Sequence, residues 1–183
     1  MKEEILIAGF GGQGILLMGR ILAEAAMYDG YHATWFPSYG PEMRGGTANC
    51  ITILSDDEIG SPIVNTYDIA VVMNQPSLER FGPKVRPGGL VLVNSSMVPV
   101  RFNRTDVEVA YVPAAAIAKA AGIERGQNIV MLGALLGARC PLTMERVENA
   151  IRENIGRKHP EAVDRNLAAL HAGREAVSAP AAA

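Results

Sequence analysis

The stretch IAGFGGQGILLMG, residues 7–19, joins an apolar run to a helical pattern through a glycine-rich turn. Residues 5–8 form a short apolar run that enters Gly9, and from Gly14 onward apolar side chains recur at helical spacing. Gly9, Gly11 and Gly14 have GxGxxG spacing, directly after a predicted strand and at the start of a predicted helix. The sequence therefore predicts a strand, a tight turn and a helix.

A glycine turn in this position commonly holds a phosphate. The first glycine permits the turn, the second lets the backbone approach a ligand, and the N–H groups and dipole of the helix face an anion. The side-chain amide of Gln13 can both donate and accept a hydrogen bond. We predict that an anionic group binds to the five loop residues Gly9, Gly11, Gly12, Gln13 and Gly14. The alternative is a structural turn without a ligand, but glycine is entropically costly and such a turn has little need for so many.

Two familiar nucleotide-binding motifs do not match this loop. A nicotinamide site has an acidic residue after the second strand to hold the ribose, whereas this chain has WFPS, residues 35–38. A nucleoside triphosphatase loop has lysine followed by Ser or Thr, whereas this loop continues into IL, residues 15–16. The sequence supports neither a dehydrogenase nor an ATPase.

A second loop is predicted at the same edge of the sheet. PSYGPEMRGGTA, residues 37–48, follows the second predicted strand, and residues 37–46 contain too many glycines and prolines for a regular element. Ligands of open α/β sheets bind along this edge. Arg44 is suited to bind a phosphate or carboxylate, with Glu42 orienting it. In the alternative interpretation this is a wide turn whose two charges are solvated or paired with each other.

Strand patterns alternate with helix patterns along the chain. Strands are predicted at residues 5–8, 32–36, 48–55, 69–73, 90–93 and 107–112. Helices are predicted from residue 14 and at residues 76–81, 114–121, 129–139, 144–155 and 161–177. This order predicts a single Rossmann-like α/β domain, with an open, mostly parallel, doubly wound sheet and C-terminal helices. The domain is expected to span residues 1–177, with a disordered tail at 178–183.

Several other residues allow only local predictions. Asn128 precedes an apolar helical run and is expected to be its N-cap. Gly133 and Gly137 form GxxxG, which predicts tight packing on a neighbour inside the fold or across a subunit interface. The histidines are scattered and are expected at the surface. The polar residues after two predicted strands fit either an ordinary turn or a ligand crevice: Asn74, Gln75, Asn94, Ser95 and Ser96.

Composition excludes several classes of function. The formal net charge is -2 with both signs interspersed, so no broad positive field attracts nucleic acid or an anionic membrane. Cys50 and Cys140 are too few and too far apart for a zinc or iron–sulfur site, and we expect both to be reduced core thiols. No signal peptide or membrane span is indicated, which predicts a cytoplasmic protein. No catalytic residue and no metal ligand is predicted.

Taken together, the two loops resemble those of the gamma subunit of 2-oxoacid:ferredoxin oxidoreductases. The similarity extends over residues 3–177. It is carried by four stretches: GFGGQGILLMG at 9–19, SYGPEMRGGTANC at 38–50, SP at 61–62 and VRPGGLVLVNSS at 85–96. The pairing of GGQG with YGPEMRGG is far more specific than GxGxxG alone.

The resemblance implies an enzyme complex that oxidatively decarboxylates a 2-oxoacid to an acyl-CoA and reduces ferredoxin. Thiamine diphosphate and iron–sulfur clusters are expected in the partner subunits, which are alpha, beta and in some assemblies a ferredoxin-like delta. The chain itself has no GDG-type thiamine motif and too few cysteines for a cluster, so it is expected to be inactive alone. The YGPEMRGG form is most similar to members acting on 2-oxoglutarate, with branched-chain 2-oxoacids next.

Residue by residue, the resemblance assigns both loops to the surface facing the catalytic subunits and the path of coenzyme A, whose phosphate is the candidate ligand. The second loop contributes Ser38, Tyr39, Glu42, Arg44, Gly45 and Gly46. Two alternatives stay open. The chain is a purely structural subunit whose glycines allow close approach of neighbours, or it is a free-standing nucleotide or flavin enzyme.

Overall fold

A computed structural model describes residues 1–39 and 46–178 of the chain. The strands are β1 (Lys2–Phe10), β2 (His32–Tyr39), β3 (Thr47–Ser55), β4 (Tyr67–Val72), β5 (Val85–Asn94) and β6 (Glu108–Val112). They form one six-stranded sheet in the order β2-β3-β1-β4-β5-β6. β1 and β4, two of the predicted apolar runs, therefore occupy its centre.

The sheet is mostly parallel, as predicted. β1, β4, β5 and β6 run parallel to one another, whereas β3 is antiparallel to both β1 and β2. β2 therefore runs in the same direction as β1, and β3 alone is reversed. The connection from β2 to β3 is short, and neighbouring strands joined by a short connection pair antiparallel because a parallel pair needs a long crossover.

Helices cover both faces of the sheet, which confirms the predicted α/β class. They are α1 (Ile15–Tyr28), α2 (Gln75–Phe81), α3 (Ala114–Ala120), α4 (Gln127–Arg139), α5 (Met144–Gly156) and α6 (Val163–Ser178). One face packs against α1, α3, α4, α5 and α6, and the opposite face packs against α2. Short 3-10 turns occupy Gly82–Lys84 and Pro160–Ala162.

The central strands are buried on both faces. In β1, Ile5 and Ile7 pack under the five-helix layer, whereas Leu6 and Ala8 pack under α2. All four side chains are fully buried. This arrangement explains why these strands read as continuous apolar runs and not as alternating ones.

The GxxxG pair of α4 packs inside the fold. A Cβ added at Gly133 would lie 1.9 Å from the Leu170 carbonyl oxygen of α6, and one added at Gly173 would lie 2.0 Å from the Val130 carbonyl oxygen. Both distances are far below any real contact, so the two helix backbones touch where both lack side chains. Of the two predicted settings for this packing, the structure shows the one within the chain.

The second strand is longer than predicted. It continues through Pro37 to Tyr39, although residues 37–46 were predicted to form no regular element because of their glycines and prolines. β2 lies at the edge of the sheet, where proline is tolerated because a strand there can leave one side unpaired. At the other end of the chain, α6 reaches Ser178, and residues 179–183 lie outside the described residues. The predicted domain limit and disordered tail therefore stay predictions.

Candidate functional site

The topology creates a crevice between the carboxyl ends of β1 and β4. These two strands are parallel neighbours, but α1 follows β1 to one face of the sheet and α2 follows β4 to the other. Diverging connections of this kind open a gap at the sheet edge, which is where open α/β folds bind ligands. The glycine loop lies at this switch point.

Gln13 holds the glycine loop against β4. Its side-chain Oε1 accepts a hydrogen bond from the Phe10 N–H at 2.6 Å, and its Nε2 donates to the Met73 carbonyl oxygen at 3.2 Å. Because a backbone N–H only donates and a carbonyl only accepts, the orientation of the amide is fixed. Both polar atoms of Gln13 thus hold the shape of the loop, and one Nε2 hydrogen is left beyond these two contacts.

The loop glycines differ in how much space a side chain would have at each position. A Cβ at Gly9 would lie 2.6 Å from Gln13 Oε1 and 2.8 Å from Met73 Cβ, so this position is filled by the chain itself. Gly14 has φ 75°, and its Cβ would lie 2.3 Å from Asn128 Nδ2. Gly12 has φ 93° and open space where a Cβ would be. Gly12 is therefore the glycine whose open side leaves room for a ligand.

The predicted N-cap role of Asn128 is wrong. α4 begins one residue earlier, at Gln127, and Gly126 occupies the cap position. Asn128 is 7% exposed and packs against Gly14 at the start of α1. Helical periodicity alone did not distinguish a cap from the second residue of the helix, because the residue that Asn128 contacts is more than a hundred positions away.

The C-terminal end of the second loop contacts the glycine loop. The Gly11 N–H donates to the Gly46 carbonyl oxygen at 3.0 Å, and Thr47 pairs with Phe10 at the start of β3. Ser38 is exposed on the edge strand, two strand spacings or about 10 Å from β1. Three more predicted site residues, together with the rest of that loop, lie outside the described residues: Glu42, Arg44 and Gly45.

A cavity of about 260 Å³ opens on the glycine loop. Gly12, Gln13 and Met73 line it from the sheet edge. Its other wall is the turn between α3 and α4, with Glu124, Arg125 and Gln127. This wall was not predicted, because the turn is far from both loops in sequence. The signal in the sequence was the polar run ERGQN, residues 124–128, before an apolar helix.

The polar residues that follow β4 and β5 make contacts within the chain. Asn74 caps α2, since its side-chain oxygen accepts from the Ser77 N–H at 2.9 Å. Asn94 is fully buried, and its Nδ2 donates to Gln127 Oε1 at 2.8 Å. The first is a helix cap, whereas the second reaches the cavity wall through Gln127.

The cysteines are separate thiols. Cys50 is fully buried beneath α1, Cys140 is half-buried, and neither forms a disulfide. Burial raises the pKa of both thiols to about 12. No group of three or more His, Cys, Asp or Glu side chains positioned to bind a metal is present within residues 1–39 and 46–178. A cluster with four cysteine ligands does not fit the two that the chain has.

The histidines are exposed, as predicted: His32, His159 and His171. Across the described residues, none of the helices combines the length and apolar character that a membrane crossing requires.

Comparison with known proteins identifies relatives over almost the whole chain. The family model described as pyruvate ferredoxin/flavodoxin oxidoreductase matches residues 4–176. The ketoisovalerate oxidoreductase subunit VorA of Methanothermobacter thermautotrophicus is 42% identical over 95% of this chain. The alignment covers 36% of VorA, so the chain spans about a third of the length of that relative.

Two further relatives match along their full length. The 2-oxoglutarate synthase subunit KorC of Methanothermobacter marburgensis is 38% identical, and the alignment covers 97% of each chain. The crystal structure of the keto/oxoacid ferredoxin oxidoreductase gamma subunit from Geobacter sulfurreducens is similar with a TM-score of 0.85, 31% identity and 97% coverage of both chains. Both the sequence and the fold of this chain therefore have counterparts in proteins of one kind.

Proposed function

The chain belongs to the pyruvate ferredoxin/flavodoxin oxidoreductase family, and we propose that it is the gamma subunit of a multisubunit 2-oxoacid:ferredoxin oxidoreductase. Full-length agreement with a KorC subunit and with a solved gamma subunit supports this assignment. In VorA the matching region is about a third of a longer chain, so the same unit occurs both alone and joined to more sequence. The proposed partners are alpha and beta subunits, in some assemblies a delta subunit, with ferredoxin as acceptor and the cytoplasm as location.

We propose 2-oxoglutarate as the substrate of the complex. The full-length relative is named for 2-oxoglutarate, whereas the relative with the higher identity is named for ketoisovalerate. A branched-chain 2-oxoacid is therefore the second candidate. Comparing kcat/KM for the two acids in the assembled complex decides between them.

The proposed task of this chain is to hold a phosphate of coenzyme A. The observation that carries the proposal is the cavity at the switch point, onto which Gly12 opens at the start of α1. The first turn of a helix leaves N–H groups without intrahelical partners, and its dipole favours an anion. The other loop glycines and Gln13 would shape the site, and Arg44 of the second loop is the proposed partner of the phosphate.

The redox chemistry belongs to other subunits in this proposal. Thiamine diphosphate would supply carbanion chemistry to the 2-oxoacid and iron–sulfur clusters would carry the electrons. Neither group fits this chain, since it has no GDG-type motif and two widely separated cysteines. The residues described above bind and orient, and none of them is positioned to transfer electrons.

A purely structural role is the second candidate, and specific contacts favour it. Gly9 and Gly14 are filled by neighbouring side chains of the same chain, and both ends of Gln13 are hydrogen-bonded internally. These glycines are explained by packing without any ligand. Gly12 is not explained in this way, because its open side faces solvent space and not a neighbour.

Reconstitution separates these roles. The partner subunits are expressed with and without this chain, and 2-oxoacid-dependent reduction of ferredoxin is measured with coenzyme A present. We expect activity only when the chain is included, and none from the chain alone. Equal activity without the chain overturns the subunit assignment.

A further inference from the structure

The wall of the cavity opposite the glycine loop contains an amide whose orientation is set by a buried neighbour. The Ser96 N–H, which can only donate, points at Asn94 Oδ1 at 3.2 Å. The Nδ2 of Asn94 is therefore the end that donates to Gln127 Oε1 at 2.8 Å. Asn94 is fully buried at the end of β5, so its own amide is shielded from water.

This chain of contacts determines what Gln127 offers to the cavity. Its Oε1 is occupied by Asn94, so its remaining polar group is the Nε2, which carries only donors. Gln13, on the opposite side of the cavity, uses its oxygen and one Nε2 hydrogen within the chain, so it too presents only a donor. The cavity therefore has a directed amide donor on the α3–α4 side and the open face of Gly12 on the glycine-loop side.

Arg125 adds a positive charge to the same wall. It lines the cavity with Gly12 and is exposed. Within the described residues it has no ion pair or hydrogen bond, although Glu124 lies beside it in the chain. A guanidinium and an amide N–H together suit a ligand with several acceptor oxygens, such as a phosphate.

The size of the cavity limits which part of a cofactor it can take. Its volume is about 260 Å³, below the roughly 300–1,000 Å³ of sites that enclose a drug-sized ligand. Coenzyme A is larger than such ligands, so the cavity can enclose a phosphate-bearing part of it and not the whole molecule. The remainder would lie outside this chain.

We propose that the α3–α4 turn is the second half of the coenzyme A site. Arg125 and Gln127 bind a phosphate on the side of the cavity opposite Gly12, and Asn94 is the positioning residue that orients the side-chain amide of Gln127. This inference rests on the proposed function. Glu124 has the opposite effect, because its carboxylate repels the same phosphate and lowers the affinity for coenzyme A.

The test uses the assembled complex and coenzyme A itself, with KM and kcat measured for coenzyme A and KM for the 2-oxoacid. Arg125→Gln and Gln127→Glu are each expected to raise the KM for coenzyme A about tenfold, since each removes or reverses a donor to an anion. Glu124→Gln is expected to lower it. The KM for the 2-oxoacid stays unchanged in all three.

Arg157→Gln is the matched control, because it removes the same charge from an exposed arginine in a different cleft, between α1 and α5. Its kinetics should equal those of the unsubstituted complex. An effect of Arg125→Gln no larger than that of Arg157→Gln overturns the role of Arg125. Dephospho-coenzyme A, tested in parallel, identifies the phosphate: if it is the 3′-phosphate, this analogue is insensitive to Arg125→Gln.

Asn94→Asp tests the positioning role separately. An aspartate still accepts from Ser96 but cannot donate, so Gln127 would flip and present its oxygen to the cavity. We expect Asn94→Asp to raise the KM for coenzyme A. In a complex that already carries Gln127→Leu, adding Asn94→Asp should raise the KM no further. Additive effects of the two substitutions overturn the positioning role. If the unsubstituted complex shows no dependence on coenzyme A, the proposed function itself has failed.

Discussion

Gln13 determines the shape of the glycine loop through one accepted and one donated hydrogen bond. In Gln13→Glu, one carboxylate oxygen can still accept from the Phe10 N–H, but the other faces the Met73 carbonyl, which donates nothing. We expect the variant to lose about 2 kcal/mol of unfolding free energy at pH 7. Urea unfolding measures this loss.

The pH dependence of the same variant checks the cause. A protonated glutamic acid can donate to Met73, so the loss of stability should shrink as the pH falls toward 5. Arg20→Gln is the control, because it breaks an exposed pair within α1 and should cost less than about 1 kcal/mol. A loss that is constant between pH 7 and pH 5 would show that the two hydrogen bonds of Gln13 do not hold the loop.

Glu4 makes the stability of the opposite end of the sheet depend on pH. It is 4% exposed, with Lys2 Nζ at 2.7 Å and the guanidinium of Arg86 on its other oxygen. Burial raises the pKa of this carboxyl, but hydrogen bonds from Lys2 and Arg86 outweigh it, so the pKa lies below its ordinary 4.5. The stabilisation is therefore full above pH 4.5 and is lost as the pH falls through the lowered pKa.

Replacing Glu4 by glutamine should remove that pH-dependent part. At pH 7 we expect Glu4→Gln to cost about 2 kcal/mol, less than the roughly 3–5 kcal/mol of a fully buried pair because Arg86 is partly exposed. The cost should decline below pH 4. Glu161→Gln, at an exposed pair with His159, should cost almost nothing. An equal cost of Glu4→Gln at pH 7 and pH 3 contradicts this explanation.

For individual residues, the sequence predicted the place in the fold better than the contacts that each side chain makes. The glycine loop lies at the sheet edge as expected, yet Gln13 is bonded within the chain and Asn128 packs on Gly14. Arg125 and Gln127 were not predicted at all. Each of these roles depends on a contact between segments far apart in sequence, which periodicity and spacing do not encode.

The packing of α4 on α6 depends on glycine in both helices. Gly133→Ala puts a methyl group where the Leu170 carbonyl already lies, so one helix must move. We expect a loss of about 3 kcal/mol of unfolding free energy, as for an overpacked core. Gly60→Ala is the control, since a Cβ there meets open space and should change the free energy by less than about 1 kcal/mol. Similar small effects for both variants would contradict close packing at Gly133.

Elements were predicted better than their arrangement. Every predicted strand and helix has a counterpart, because long apolar runs and helical periodicity are local signals. The reversal of β3 and the partner of GxxxG were not predicted, since both depend on which elements become neighbours. The extension of β2 through Pro37 was missed for the same reason, as proline is acceptable there only at the edge of the sheet.

For the molecule as a whole, the fold followed from the order of strand and helix patterns and the family from two loops, whereas the proposed task of the chain depends on partners. The resemblance to gamma subunits was drawn from the pairing of GGQG with YGPEMRGG, and the family match over residues 4–176 confirms it. The substrate was not determined, because relatives named for different 2-oxoacids share this unit. In the proposed complex, substrate choice is expected to reside mainly in the other subunits.

The most direct measurement is a calorimetric titration with coenzyme A of the isolated chain, of the assembled complex and of a complex carrying Arg44→Ala. If both loops form one part of a composite coenzyme site, the isolated chain binds weakly or not at all, and the complex binds tightly. The Arg44→Ala complex should then bind about tenfold more weakly, through loss of one charge-assisted contact. Equal affinity of the two complexes would remove the ligand role of the second loop and leave a structural subunit.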